Sequence, residues 1–307
     1  MTGHRAVAAV DCGTNSTRLL VADGGGATLE RLMRITRLGA GVDRSGRLDP
    51  VAVGRTLDTL RDFRCVMDAH GVDSVFASAT SAVRDASNSD DFLEPAAEVL
   101  GERPRVLRGE EEGSLAYRGA TEELEAGEGP FLLVDVGGGS TELVTAAPDG
   151  HVTAVSLDVG CVRVTERFLS SDPPTASERE AASAFSASLV EEAAAGRPEL
   201  RGARRMVGVA GTVSALAVLE LGLGEYDRDK VHHSVLGLEE TRRLAEALSS
   251  VPVAERREWP GMERERADVL AGGALVLVAV MEVLGHDELL VSESDILDGM
   301  VAELLAT

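Results

Sequence analysis

The sequence predicts an α/β protein made of two related domains. Residues 7–21 and 132–144 share one plan: an apolar run ends in aspartate, glycine and hydroxyl residues follow, and a second apolar run begins. Short apolar runs bounded by glycine fit buried strands, so each stretch reads as two strands joined by nearly bare backbone. Asp11 and Asp135 lie 124 positions apart, a spacing that suits duplicated domains, and 307 residues are enough for two. A third glycine loop, residues 207–214 with Gly208 and Gly211, follows another apolar run and opens a helix.

Taken in order, residues 28–38 continue a strand meander and Gly39-Ala40-Gly41-Val42 is a turn. Asp49-Pro50 opens a helix with proline in its first position, where the missing N–H costs nothing. Val53, Leu57, Leu60, Val66 and Met67 give that helix its apolar stripe, and Gly71 ends it. Residues 72–77 read as a strand, 78–88 as a polar stretch, 91–100 as a short helix and 105–107 as a short strand. In residues 109–119, Glu110, Glu111 and Glu112 fall in a helix's first turn, where acidic groups complement the macrodipole. The acidic, glycine-containing run 122–129 is the expected domain boundary.

The second half repeats the meander over residues 131–135, 140–146 and 151–157, and Asp158-Val159-Gly160-Cys161-Val162-Arg163 follows. Thr175-Ala176-Ser177-Glu178 is a capping-box signature for a helix reaching about residue 195. Residues 226–236 read as a loop containing His232 and His233. Adjacent histidines point in different directions and no third ligand is spaced for zinc, so both read as loop residues. Residues 263–284 read as one long helix, 288–291 as a strand, and 292–299 as the lead into a last helix.

Composition narrows the function. A net charge of −22 argues against broad nucleic-acid or anionic-membrane binding, which needs a basic face. No apolar run approaches the roughly 20 residues of a membrane span. The start of the chain does not resemble a signal peptide, so a cytoplasmic location is expected. Cys12, Cys65 and Cys161 form no CxxC pair and read as reduced thiols. Aromatic residues are 3% of the chain, so the core must come from alanine, valine and leucine.

Asp11-Cys12-Gly13-Thr14-Asn15-Ser16 with Arg18, Asp135-Val136-Gly137-Gly138-Gly139-Ser140-Thr141-Glu142, and Ala210-Gly211-Thr212 closely resemble the motifs of the exopolyphosphatase / guanosine pentaphosphate phosphatase (Ppx/GppA) family. The resemblance runs from Val7 to about Met300. It implies two duplicated actin-like, Hsp70-like and sugar-kinase-like (ribonuclease H-like) domains with an active-site cleft between them. The first would cover residues 1–126 plus a C-terminal helix over about 292–307, and the second residues 127–291. It also implies an exopolyphosphatase that removes terminal phosphate from inorganic polyphosphate, with the pentaphosphate alarmone pppGpp as the alternative substrate. A kinase of the same superfamily fits less well, because no insertion builds a sugar pocket. A non-catalytic regulator that binds alarmone or nucleotide stays open.

Position by position, the resemblance makes Glu112 the general base that orients the attacking water, with Glu111 in its place if the register shifts by one. Gly113-Ser114 stands where the family usually has Ala-Arg. Arg84 would balance phosphate charge. Gly13, Thr14, Asn15, Ser16, Gly137, Gly138, Gly139, Ser140 and Thr141 would clasp phosphates, with Gly211 also phosphate-binding, and Asn15 and Thr212 would complete the hydrogen bonds. Asp135, also counted as catalytic, and Glu142 would hold Mg²⁺, or Mn²⁺, with Asp11 as a further candidate ligand. A homodimer and (p)ppGpp as a regulator are likewise implied. Because the general field repels a polyanion, local arginines and backbone amides must reverse it, which favours short chains over long ones.

Overall fold

Two mixed sheets organise the chain, and each grows outward from one of the two Asp-Gly hairpins. The computed structural model describes residues 6–147 and 151–306. By internal contacts the chain divides into residues 1–119 with 296–307 and residues 120–295.

In the first unit, β1 (Ala6–Cys12), β2 (Ser16–Ala22) and β3 (Thr28–Ile35) form the expected antiparallel meander. The short α1 (Val42–Ser45) precedes α2 (Pro50–Ala69). The Asp49 side chain accepts the amides of Val51 and Ala52 and so caps α2, satisfying donors that would otherwise have no partner. β4 (Val72–Ala79) returns parallel to β1, followed by α3 (Ser81–Asp85), α4 (Asp90–Leu100), β5 (Arg105–Val106) parallel to β4, and α5 (Gly109–Thr121). The sheet order is β3-β2-β1-β4-β5. Its centre, β1, is wholly buried, and Leu60, Phe63 and Met67 of α2 and Phe92 of α4 belong to the same core. The stretch 78–88 is not a plain polar loop. β4 runs two residues into it, and the amides of Val83 and Arg84 then close α3 on the Thr80 carbonyl.

The second unit repeats the plan with β6 (Phe131–Val136), β7 (Thr141–Ala146) and β8 (Val152–Leu157). Next come α6 (Cys161–Phe168), α7 (Ala176–Gly196), β9 (Arg205–Val209) parallel to β6, and α8 (Ala210–Glu220). α9 (Arg228–Val231), β10 (Val235–Gly237), α10 (Leu238–Ser250), α11 (Val253–Arg256), α12 (Leu270–Leu284) and β11 (Glu288–Val291) complete it, in the order β10-β11-β9-β6-β7-β8. α13 (Ile296–Leu305) then rejoins the first unit, where Asp298 pairs with Arg31 at 2.5 Å. A three-strand meander flanked by a parallel strand on its first member thus occurs twice, which is the duplicated α/β architecture expected.

Three details differ from the sequence reading. The acidic run 122–129 belongs to the second unit, because Glu123 bonds His232, Arg205 pairs with Glu128, and Arg204 reaches the Gly127 carbonyl. Residues 226–236 are not all loop, since α9 and the start of β10 lie there. The long helix begins only at Leu270; residues 264–269 form turns, and the buried Arg256 donates to the Ala267 carbonyl at 3.0 Å. Among the described residues, no helix is long and apolar enough to cross a membrane.

The capping box of α7 is present: Thr175 accepts the Glu178 amide and Glu178 accepts the Thr175 amide at 2.7 Å. The Ser170 hydroxyl, then the Thr175 amide, then the Thr175 and Ser171 hydroxyls bring the Glu178 carboxyl from its ordinary 4.5 down to about 2. A depressed carboxyl stabilises the fold above its unfolded value and loses that effect as pH falls through its folded value. The stability difference between wild type and Glu178→Gln should therefore be full above about pH 5 and shrink towards pH 2. Urea titrations across that range measure it.

Candidate active site

The two hairpin loops close in the same way. The Gly13 amide donates to the Ser16 carbonyl at 2.9 Å, and the Gly137 amide to the Ser140 carbonyl at 3.0 Å. In loop two the Gly137 carbonyl accepts the Cys161 amide, the Gly138 carbonyl accepts the Val162 and Arg163 amides, and the Gly139 carbonyl accepts Arg163 Nε at 2.7 Å. In a trans peptide the following N–H points opposite to the carbonyl. Three carbonyls turned onto the start of α6 therefore aim the amides of Gly138, Gly139 and Ser140 the other way, as an anion-binding nest does. Gly160 makes this possible: a Cβ there would lie 2.6 Å from the Gly138 oxygen and 2.7 Å from the Gly137 oxygen.

Loop one is anchored by different partners. The Thr36 and Arg37 amides both donate to the Asn15 carbonyl, the Gly39 amide donates to the Thr14 carbonyl, and Thr14 Oγ1 lies 2.8 Å from Ser81 Oγ. Arg37 adopts a left-handed φ of 52°, which lets consecutive amides converge on one oxygen. Asn15 Nδ2 is buried and has no hydrogen-bond partner among the described residues, a donor available to a ligand oxygen.

The carboxylates divide by unit. Asp135 and Glu142 are direct partners across the β6–β7 ladder, both buried, and Ser156 donates to Glu142 Oε1 at 2.7 Å. Directly opposed residues share a face with Cβ atoms roughly 5 Å apart, and like charges so placed repel. Such a pair fits a cation that prefers oxygen donors. Asp11, expected as a further metal ligand, is engaged otherwise: Arg18 reaches its Oδ2 through Nη2 at 2.7 Å and Nε at 3.3 Å, and Ser78 donates to Oδ1 at 3.0 Å.

Glu112 and Glu111 also separate. Glu112 is largely buried, with Oε2 3.7 Å from Arg84 Nη1, while Arg84 also donates to the Leu107 carbonyl at 3.0 Å. Glu111 points to solvent and accepts the Arg108 amide at 3.0 Å, a contact that holds its carboxyl below the ordinary value. Glu111 is thus a helix cap, and its replacement by alanine should cost about 1 kcal/mol of stability while leaving turnover unchanged. Chemical denaturation beside a phosphate-release assay measures both. Gly113 is buried in α5, whereas Ser114 is exposed and donates to the Glu110 carbonyl at 2.7 Å.

Two expected phosphate ligands have their hydroxyls committed elsewhere. Thr141 donates to the Val159 carbonyl at 2.6 Å and Thr212 to the Val136 carbonyl at 3.0 Å, both deeply buried. They hold the second and third loops in place, so their side chains are not presented to phosphate. The third loop opens at Ala210 with a left-handed φ of 70°. Gly211 packs on the Arg266 guanidinium, where a Cβ would lie 2.3 Å from Nη1.

Arg163 and Arg266 are site residues the motifs did not single out as ligands. The signal for Arg163 was its position just after the Gly160-Cys161 turn, and for Arg266 it was the likeness of Arg266-Ala267-Asp268 to a family segment near the substrate cleft. Burial raises the Cys12 thiol well above its ordinary value, helped by Asp11, and burial likewise raises Cys161. Both therefore stay protonated and are poor nucleophiles.

The histidines need a correction. His232 and His233 do not diverge: their rings stack with centroids 3.8 Å apart, because His233 takes a left-handed φ of 62°. Glu123 joins them, and one potential ligand atom from each of the three lies within 4.8 Å of the others. His232 Nδ1 accepts the Glu293 amide at 3.0 Å, which places the proton on Nε2, 3.0 Å from Glu123 Oε2. In that tautomer the ring is a hydrogen-bonding strut rather than a metal ligand.

The chain is 40% identical to exopolyphosphatase 2 of Mycobacterium tuberculosis, over 97% of this chain and 98% of that one. It matches the crystal structure of an exopolyphosphatase-like protein with a TM-score of 0.89 and 36% identity, covering 98% of this chain and 99% of the other. It matches a Ppx/GppA family member from Aquifex aeolicus with a TM-score of 0.81 and 32% identity, covering 98% of each. The sequence pattern of the Ppx/GppA phosphatase family spans residues 10–307. On the fold, the paired loops and that match, the chain belongs to the Ppx/GppA phosphatase family.

Proposed function

We propose that the protein is an exopolyphosphatase, a hydrolase that releases orthophosphate from the end of inorganic polyphosphate. The observation that carries the reading is loop two, whose Gly137, Gly138 and Gly139 carbonyls are turned onto α6 so that the amides that follow them face away from it, with a buried carboxylate pair at its base. Phosphoanhydride hydrolysis needs alignment, charge neutralisation and a positioned water rather than covalent chemistry.

In the first unit, Glu112 accepts the proton of the attacking water, and Arg84 supplies the opposite charge beside it and towards the departing phosphoryl oxygens. The amides of loop one and the Asn15 amide group bind phosphate oxygens. In the second unit, the amides of Gly138, Gly139 and Ser140 do the same. Asp135 and Glu142 would hold Mg²⁺, whose charge, when bound, neutralises phosphoryl oxygens.

Phosphate release with Mg²⁺ from short polyphosphate, long polyphosphate, pppGpp and ATP tests the reading. Fastest turnover of polyphosphate, with short chains ahead of long ones given the charge of −22, is the expected result. A ranking led by pppGpp would make the protein a pppGpp phosphohydrolase, and no release from any substrate would sink the enzymatic reading.

A further inference from the structure

Superposing the two hairpins by register pairs Asp11 with Asp135 and Arg18 with Glu142. In each hairpin the aspartate is the last residue but one of the first strand, and its direct cross-strand partner lies seven positions later. The loops between have equal length and the same closing hydrogen bond. What differs is the charge opposite the aspartate. In the second unit it is a carboxylate, in the first a guanidinium.

We infer that Arg18 takes, in the first unit, the place that a divalent cation takes in the second, so that the chain has two phosphate loops but holds one metal ion. This rests on the reading of Asp135 and Glu142 as metal ligands. Arg18 binds Asp11 Oδ2 through two nitrogens, and Ser78, the neighbour of Asp11 on β4, donates to Oδ1, so both oxygens of the carboxylate are engaged by protein donors. At the equivalent place beside Asp135, β9 offers Val209, which has no side-chain donor. A guanidinium is charged at every working pH and cannot leave. A divalent ion approaching Asp11 would meet that like charge at close range. Loop one therefore has a permanent cation at its base, whereas loop two exchanges its own with solvent.

Mn²⁺ binding to the full chain, followed by electron paramagnetic resonance and calorimetry, tests this without reference to activity. Wild type should bind one ion per chain, and Asp11→Asn should leave that number at one. Glu142→Arg, which copies the first hairpin, should weaken binding at least tenfold, while Arg18→Glu, which copies the second, should raise the number to two. Two ions in wild type, one of them lost in Asp11→Asn, would overturn the inference while leaving Asp135 and Glu142 as ligands. A folded Arg18→Glu that still binds one ion would overturn it as well. Should that variant not fold, the Asp11→Asn stoichiometry decides. Absence of Mn²⁺ binding in wild type, or full binding in Glu142→Arg, would instead remove the metal reading on which the inference stands.

Discussion

Glu112→Gln should lower the turnover number for phosphate release by about 10²–10⁴-fold, the range a positioned general base contributes, with substrate affinity little changed. The side chain is almost the same size, so the start of α5 and its Glu111 cap should persist. What disappears is the proton acceptor and the charge beside Arg84. Steady-state kinetics with a fluorescence binding assay separates the two effects. A variant that turns over at the wild-type rate would remove Glu112 from the chemistry, and one that loses binding would make it a ligand instead.

Gly160→Ala is expected to be nearly as damaging by a different route. The added methyl would meet two carbonyl oxygens of loop two well inside contact distance. Those oxygens belong to backbone bonded to the start of α6, so neither side can yield cheaply. Overpacking of this kind costs about 1–3 kcal/mol, which an otherwise intact core can absorb. The greater effect should fall on the amide nest, since a displacement near 1 Å can cost about 10²-fold in rate. The expected signature is a modest drop in melting temperature with a roughly hundredfold loss of kcat/KM. Equal kcat/KM in the variant would show that the carbonyl anchoring of loop two does not matter for phosphate.

The parts of this fold legible in the sequence are those where local pattern and tertiary demand agree. The Asp-Gly hairpins, the Asp49-Pro50 helix start and the Thr175 capping box each depend on neighbours within a few residues, and each forms as expected. Glycine's missing side chain marked both phosphate loops because backbone approach was the purpose. What was not legible depends on distance. Arg266 packs on Gly211 from turns over 264–269, where an apolar pattern suggested helix. Glu123 meets His232 across more than a hundred residues, which no ligand-spacing rule covers. Thr141 and Thr212 carry the residue type expected of phosphate ligands, yet their hydroxyls close onto carbonyls of their own unit. Asp11 matched its motif as well as Asp135 did, and the strand neighbours on either side distinguish them: Arg18 and Ser78 against Glu142 and Val209.

The return of α13 to the first unit bears on how the chain is born. Gly299 sits so close to α5 that a Cβ would lie 2.0 Å from the Leu115 carbonyl, and Met300, fully buried, touches Ser78 on β4. The first sheet is therefore finished with residues translated after the whole second unit. On the ribosome the order of completion is the reverse of the order of synthesis: residues 120–295 can close while the first 119 still wait for their last helix. During that interval the face of β1, β2 and β4 that α13 covers stays open to water and to other nascent chains. A stop codon just before Ile296 would leave it open permanently.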